Sequence, residues 1–188
     1  MADAAPPSAG SPLGPESAPS PASTREIEGI TFRRPTEADY AAISHVIDDW
    51  WGGRQMDHLL HRLWLQHFTG TSWLAETEDG RLAGFLIGFL SPDKPDVAYC
   101  HLIATNPNLR RRNLGRALYE RFFEDARAGG RHTVTAITWP ANHPSIAFHE
   151  ALGFVVQRGP ETQNLYGTPA LAGYDFDRED RAVLSRSV

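Results

Sequence analysis

The sequence holds a single cysteine, Cys100, in 188 residues. That excludes an intramolecular disulfide and any cysteine-rich zinc site. It has no long hydrophobic run either. The longest, Leu82 to Leu90, contains two glycines and is too short to cross a bilayer as a helix. The N-terminus shows no basic stretch followed by an apolar one, so no secretory leader is expected. Positive charge is not in excess: 18 Lys and Arg face 23 Asp and Glu, a net charge of −5. This balance argues against a general nucleic-acid binder. Two familiar phosphate loops are missing, since neither GxxxxGK[ST] nor a GxGxxG after a strand occurs. His58 and His61 lie at helical spacing but are read as surface or core residues rather than a metal site. These absences together predict a cytoplasmic protein with no metal, membrane or nucleic-acid partner.

What is present can build one domain. Hydrophobic residues make up 41% of the chain, enough to fill a core. Residues 1–24 stand apart. They carry six of the 14 prolines among Ala, Ser and Gly, and are expected to form a disordered tail. The predicted domain is 25–188. Ile30 to Phe32 reads as a first strand. Thr36 opens a helix with Tyr40, Ile43, Val46, Ile47 and Trp50 on its apolar stripe, and Gly52–Gly53 ends it. A second helix is predicted with Met56, Leu59, Leu60, Leu63, Trp64 and Phe68 on one face, ended by Gly70. Ser72–Thr77 and Arg81–Ser91 read as a hairpin about Glu78–Asp79–Gly80. Val97–Thr105 follows as a strand, then a helix from Asn113 to Gly129 with Leu114, Leu118, Phe122 and Ala126 at a spacing of four. His132–Trp139 is a strand, Pro144–Leu152 a short helix, Phe154–Gln157 a strand, 158–175 a long loop and Arg181–Ser187 a last strand. This order predicts an α/β fold, one mixed sheet with helices on both faces.

The chemistry concentrates in Ile103-Ala-Thr-Asn-Pro-Asn-Leu-Arg110-Arg-Arg-Asn113-Leu-Gly115-Arg-Ala-Leu. A strand meets a loop with three arginines, and a helix begins there. A helix N-terminus leaves backbone N–H groups unpaired and carries partial positive charge. A loop wrapping into it makes an anion nest. Gly115 permits close backbone approach, and Asn113 tolerates a left-handed conformation. Phosphate or pyrophosphate binding is the chemistry suggested. A solvated basic run or a nucleic-acid patch are the competing interpretations.

Arg110-Arg-Arg-Asn113-Leu-Gly115 resembles the acetyl-CoA-binding signature of the GNAT family of N-acetyltransferases, with Asn113 where the family usually has glycine. Downstream, Asn142-His-Pro-Ser145-Ile-Ala147-Phe148-His149-Glu-Ala-Leu152-Gly153-Phe154 is similar to the family's second motif. The resemblance implies a single twisted mixed sheet of about seven strands with splayed fourth and fifth strands. It implies acetyl-CoA as co-substrate, with its pantetheine amides paired to backbone near Ile103, Ala104 and Thr105. The pyrophosphate would lie on Arg110, Arg111, Arg112, Asn113, Leu114, Gly115 and Arg116, and Asn142 and Ser145 would approach from the other side.

Acetyl transfer needs a deprotonated amine, since an alkylamine has a pKa of roughly 10.4. It also needs N–H donors for the oxyanion and help for the departing thiolate. Where many family members carry an acid tyrosine, this chain has His149, which the resemblance makes the proton donor. Strand alternation puts Tyr99, His101 and Ile103 on one face. The family turns fourth-strand residues of this parity into the acetyl pocket, so the resemblance makes His101 the candidate base, acting through water, with Tyr99 beside it. The fifth-strand glutamate used by many members is replaced by Ile137. Cys100 has the opposite parity and reads as core. Asp48, Asp49, Trp50 and Trp51, and the loop with Tyr166, Tyr174, Asp175 and Asp177, are candidate walls of an acceptor cleft. The expected function is N-acetyl transfer in a ternary complex to a primary amine of a small molecule or peptide. A non-catalytic acyl-CoA sensor of the same fold is the alternative. A homodimer remains open.

Overall fold

The computed structural model describes residues 26–175 and 178–188. The expected tail at 1–24 and Asp177 lie outside them. Seven strands form one sheet in the order β1-β2-β3-β4-β5-β9-β6. They are β1 Ile30–Arg33, β2 Trp73–Thr77, β3 Leu82–Leu90, β4 Val97–Thr105, β5 Thr133–Thr138, β6 Val155–Val156 and β9 Ala182–Ser187. A separate two-stranded hairpin joins β7 Thr162–Leu165 to β8 Thr168–Leu171. The helices are α1 Tyr40–Trp50, α2 Leu63–His67, α3 Leu114–Ala128 and α4 His143–Ala151. Among the described residues, no helix is long and apolar enough to cross a membrane.

The sheet separates two cores. On one face α3 contributes Leu114, Leu118, Tyr119, Phe122, Phe123 and Ala126. This is the predicted stripe, widened by two rings. The other face packs Phe85 and Ile87 of β3 against Ile43 and Ile47 of α1 and Leu65 of α2.

Two expected elements differ. The single helix across Met56–Phe68 is instead a 3₁₀ turn at Asp57–Leu59, a break, and the short α2. Side chains compete for its backbone. Asp48 Oδ1 accepts from the N–H groups of Met56 (2.7 Å) and Asp57 (3.0 Å). The Leu59 carbonyl accepts from the Trp64 indole N–H at 3.2 Å. The expected loop at 158–175 contains the β7–β8 hairpin. Its turn is Tyr166–Gly167, both at positive φ (54° and 82°). A two-residue turn of that form is usually announced by Asn-Gly or Asp-Gly, and tyrosine hides it.

The feature that positions the site is the junction of β4 and β5. These strands are parallel, and their pairing covers only Val97–Thr133, Ala98–Val134 and Tyr99–Thr135. Beyond Tyr99, β4 continues along β3 to Thr105, while β5 continues along β9 to Thr138. The two strands splay, and among the described residues the β5-facing edge of β4 beyond Tyr99 has no sheet partner.

Candidate active site

A bulge in β4 sits at the apex of this splay. Ile87 of β3 pairs with Leu102 and Gly88 pairs with Cys100, so His101 is the extra residue. A bulge reverses the alternation that follows it, and the core assignments show this. Ala98 and Cys100 belong to the α3-side core, Leu102 to the α1-side core, and Ile103 packs on the α3 side. The expectation that Tyr99, His101 and Ile103 share a face is therefore corrected. Tyr99 and His101 look toward α2, and Ile103 does not. Gly88 makes the close approach possible, because a Cβ there would meet the Phe122 ring at 2.6 Å.

His101 is half-buried against Trp64, with ring centroids 4.2 Å apart. Its Nε2 lies 3.0 Å from the Leu59 carbonyl oxygen. A carbonyl only accepts, so Nε2 carries the hydrogen and Nδ1 is the lone-pair nitrogen. Burial lowers the His101 pKa, and nearby His61 adds to this, against the opposing Leu59 hydrogen bond and the charge of Asp175. The ring is a neutral imidazole with an acceptor to spare. Tyr99 stands beside it with Phe89 at 5.5 Å between centroids. Burial raises the Tyr99 phenol well above its usual range, with Tyr174 and Asp175 contributing, so Tyr99 stays protonated.

At the other end of β4 the chain turns through Asn106, whose side chain caps the Pro107–Leu109 turn. Arg110, Arg111, Arg112 and Asn113 are exposed. Arg111 and Asn113 both adopt positive φ, 66° and 61°, a conformation non-glycine residues rarely hold. The first backbone bond of α3 is Ala117 N–H to Asn113 O at 3.0 Å. The N–H groups of Leu114, Gly115 and Arg116 therefore lie outside the helical ladder, at its positive end. Two arginine side chains are already engaged. Arg112 donates to the Glu28 carbonyl, and Arg116 donates to the Ala151 carbonyl at 2.8 Å.

Gly115 has a second purpose that its spacing does not reveal. A Cβ there would lie 2.8 Å from the Phe148 ring. The glycine lets α4 dock onto the first turn of α3, so the two motifs pack together. Asn142 joins the same assembly. Its Oδ1 accepts from Ser145 N–H at 3.4 Å and its Nδ2 donates to Thr138 Oγ1 at 3.3 Å. It ties the end of β5 to the start of α4.

His149 is buried on α4, with both ring nitrogens engaged. Nδ1 lies 2.7 Å from the Ser145 carbonyl and Nε2 lies 2.8 Å from the Tyr119 hydroxyl. Burial lowers its pKa. Tyr119 is a participant that the sequence does not single out. It lies outside the spacing-of-four stripe of α3, and no spacing rule links it to His149, 30 residues away. Cys100 is buried, and burial pushes its thiol up to about 12. It is a core thiol, not a nucleophile.

Of the residues expected to wall an acceptor cleft, Trp50 and Trp51 pack on Phe85, with centroids 5.9 and 6.0 Å away. Asp48 is spent on capping, while Asp49 is exposed. At the hairpin tip, exposed Tyr166 meets exposed Trp139 at 5.6 Å. Asp175 is bridged to Arg181 at 2.8 Å. Among the described residues, no cluster of three or more His, Cys, Asp or Glu forms a metal site. The donor set fits an extended, amide-bearing phosphoester: an unpaired strand edge leading to a helix N-terminus.

The family model for the GNAT acetyltransferases matches residues 39–154. The chain belongs to the GNAT acetyltransferase family. It is 33% identical over 124 residues to the L-2,4-diaminobutyric acid acetyltransferase of Nocardia farcinica, covering 64% of this chain and 62% of that protein. The chain thus spans less than two thirds of that relative's length. The fold matches Ard1 of Thermoplasma volcanium at a TM-score of 0.68 and 20% identity, covering 85% of this chain and 98% of that one. It also matches the diaminobutyrate acetyltransferase EctA of Paenibacillus lautus, solved with L-2,4-diaminobutyric acid and coenzyme A. There the TM-score is 0.63 at 21% identity, covering 85% of this chain and 95% of that one. The splayed sheet with helices on both faces is the GNAT fold that the two sequence motifs implied.

Proposed function

We propose that this GNAT protein transfers an acetyl group from acetyl-CoA to a primary amine of a small molecule or peptide, by direct attack in a ternary complex. The observation that carries this is the pairing of an open β4 edge with a neutral His101 at its apex. The backbone of Ile103, Ala104 and Thr105 offers that edge to pantetheine amides. The N–H groups at the start of α3, from Arg111 to Arg116, face the pyrophosphate, with Arg110 flanking them. Asn142 and Ser145 line the approach from α4.

His101 Nδ1 takes the proton from the acceptor ammonium through water. Its lowered pKa keeps it in the basic form at neutral pH. Tyr99 and Trp64 wall the acceptor side, where ring faces favour an approaching ammonium. Tyr119 and His149 stand on the leaving-group side. Relatives named as diaminobutyrate acetyltransferases favour a small amine over a protein as acceptor. The reaction is placed in the cytoplasm and asks nothing of metal, membrane or nucleic acid.

The test is thiol release from acetyl-CoA against a panel of L-2,4-diaminobutyrate, other amino acids, polyamines, aminoglycosides and lysine peptides. Acceptor-dependent release is expected. Binding of acetyl-CoA by calorimetry with no release across the panel would favour the sensor. Failure to bind acetyl-CoA would overturn the assignment.

A further inference from the structure

We propose that the departing thiolate receives its hydrogen bond from the Tyr119 hydroxyl, and that His149 is a positioning residue that holds this hydroxyl. The proposal rests on the acetyl-transfer assignment above.

Hydrogen-bond accounting comes first. The Ser145 carbonyl, 2.7 Å from His149 Nδ1, can only accept, so Nδ1 carries the hydrogen. Nε2 is then a bare lone pair, and the Tyr119 hydroxyl at 2.8 Å must donate to it. A neutral His149 has no N–H left for a leaving group. Burial disfavours the imidazolium that would supply a second one. The mobile hydrogen of the pair belongs to the phenol.

Position comes second. Tyr119 is fully buried among Phe123, Phe148 and Phe154. Its hydroxyl also interacts with the Cys100 thiol. Cys100 follows Tyr99, the last β4 residue paired to β5. The hydroxyl therefore lies beneath the apex where the strands part. A pantetheine chain running from the α3 N-terminus along β4 ends at that apex. A rotation of one O–H bond redirects the hydrogen from His149 Nε2 to a sulfur arriving there. A buried donor of this kind acts strongly on developing charge.

The electron and proton balance is simple. The N–C bond forms, the C–S bond breaks and its electron pair stays on sulfur. The acceptor ammonium gives up two protons, one through His101 and water before attack and a second by the same route once the N–C bond has formed. Tyr119 keeps its own proton, because burial holds the phenol well above 10. It donates a hydrogen bond and is not an acid. The thiolate leaves as such and takes its proton from solvent.

The experiment compares Tyr119→Phe, His149→Gln and His149→Leu, each first confirmed as folded by thermal melting. Tyr119→Phe and His149→Leu should lower kcat about tenfold or more, with the KM for acetyl-CoA little changed. His149→Gln should keep most of the rate, because its amide oxygen still accepts from the phenol. A second readout needs no turnover: the thiol of bound CoA, titrated through the ultraviolet absorbance of its thiolate. Tyr119→Phe should raise that titration point by about half a unit or more. Wild-type kcat and an unmoved thiol titration in Tyr119→Phe would overturn the proposal. So would a His149→Gln variant as slow as His149→Leu, which would make the imidazole itself the donor. A wild-type protein that neither binds acetyl-CoA nor releases thiol would bring down the acetyl-transfer assignment first, and this proposal with it.

Discussion

The two ends of β4 are built by different means. The end that meets α3 is made from backbone. Arg111 and Asn113 hold left-handed conformations, Gly115 makes room for Phe148, and Asn142 splices β5 to α4. The end at the apex is made from side chains that arrive from far along the chain. The Leu59 carbonyl receives both the Trp64 indole and the His101 ring, and Asp48 bends the segment so that it can. A site made from backbone needs particular residue types at fixed local spacing. A site made from converging side chains needs only that several elements pack in one way. The first end is a scaffold that a substitution should deform, and the second is chemistry that a substitution should silence without unfolding.

The largest expected effect falls on the apex. His101→Gln keeps a donor for the Leu59 carbonyl but removes the titrating nitrogen. It should cut kcat at neutral pH by about a hundredfold, the usual scale for loss of a general base. The melting temperature should move little. Steady-state kinetics beside a thermal melt decides it, and a variant as fast as the parent would mean that the amine loses its proton elsewhere.

The backbone end should fail in the opposite manner. In Gly115→Val the new side chain meets the Phe148 ring where even a Cβ would stand at 2.8 Å. Overpacking of this kind costs about 1–3 kcal/mol. The melting temperature should drop, and acetyl-CoA affinity should drop with it. Phe148→Leu in the same chain should recover part of both. A Gly115→Val protein with parental stability would show that α4 can yield, and the glycine would then serve the ligand alone.

The same contrast explains what the sequence discloses. The sheet, α1 and α3 follow from hydrophobic patterning, because α1 and α3 each turn one face to a core and the central strand β3 is apolar on both faces. The α3 cradle follows from a local motif. The β4 bulge does not, since nothing in Tyr99-Cys-His-Leu-Ile103 marks which residue is extra. It appears only once the register with β3 is known. The broken second helix escapes for a related reason, as Asp48 and Trp64 take backbone partners that helix spacing assigns elsewhere. Tyr119 lies outside the spacing-of-four stripe that the sequence shows, and only the packing of α3 on α4 puts its hydroxyl on His149.

The smallest expected effect is on stability against pH, and it touches both sides of the splay. His101 and His149 each have a pKa lowered by burial, so the fold keeps them neutral. The unfolded chain titrates them near an ordinary value of about 6.5. Below that pH the unfolded state binds more protons than the folded one, and acid favours unfolding. Stability should be flat above neutrality and should fall as the pH drops from about 6.5 toward the lowered native values. Asp39 acts in a separate, more acid window. Hydrogen bonding to Arg33 lowers its pKa from 3.8, so its contribution is present above that value and is lost below it. Melting temperatures across this range should therefore show two declines. His149→Gln should shallow the upper one and leave the lower one alone. An upper decline of parental depth in His149→Gln would mean that the imidazole is not held neutral by its burial. The bare Nε2 that meets the hydrogen from Tyr119 would then be lost to protonation in a growing share of molecules as the pH falls through about 6.5.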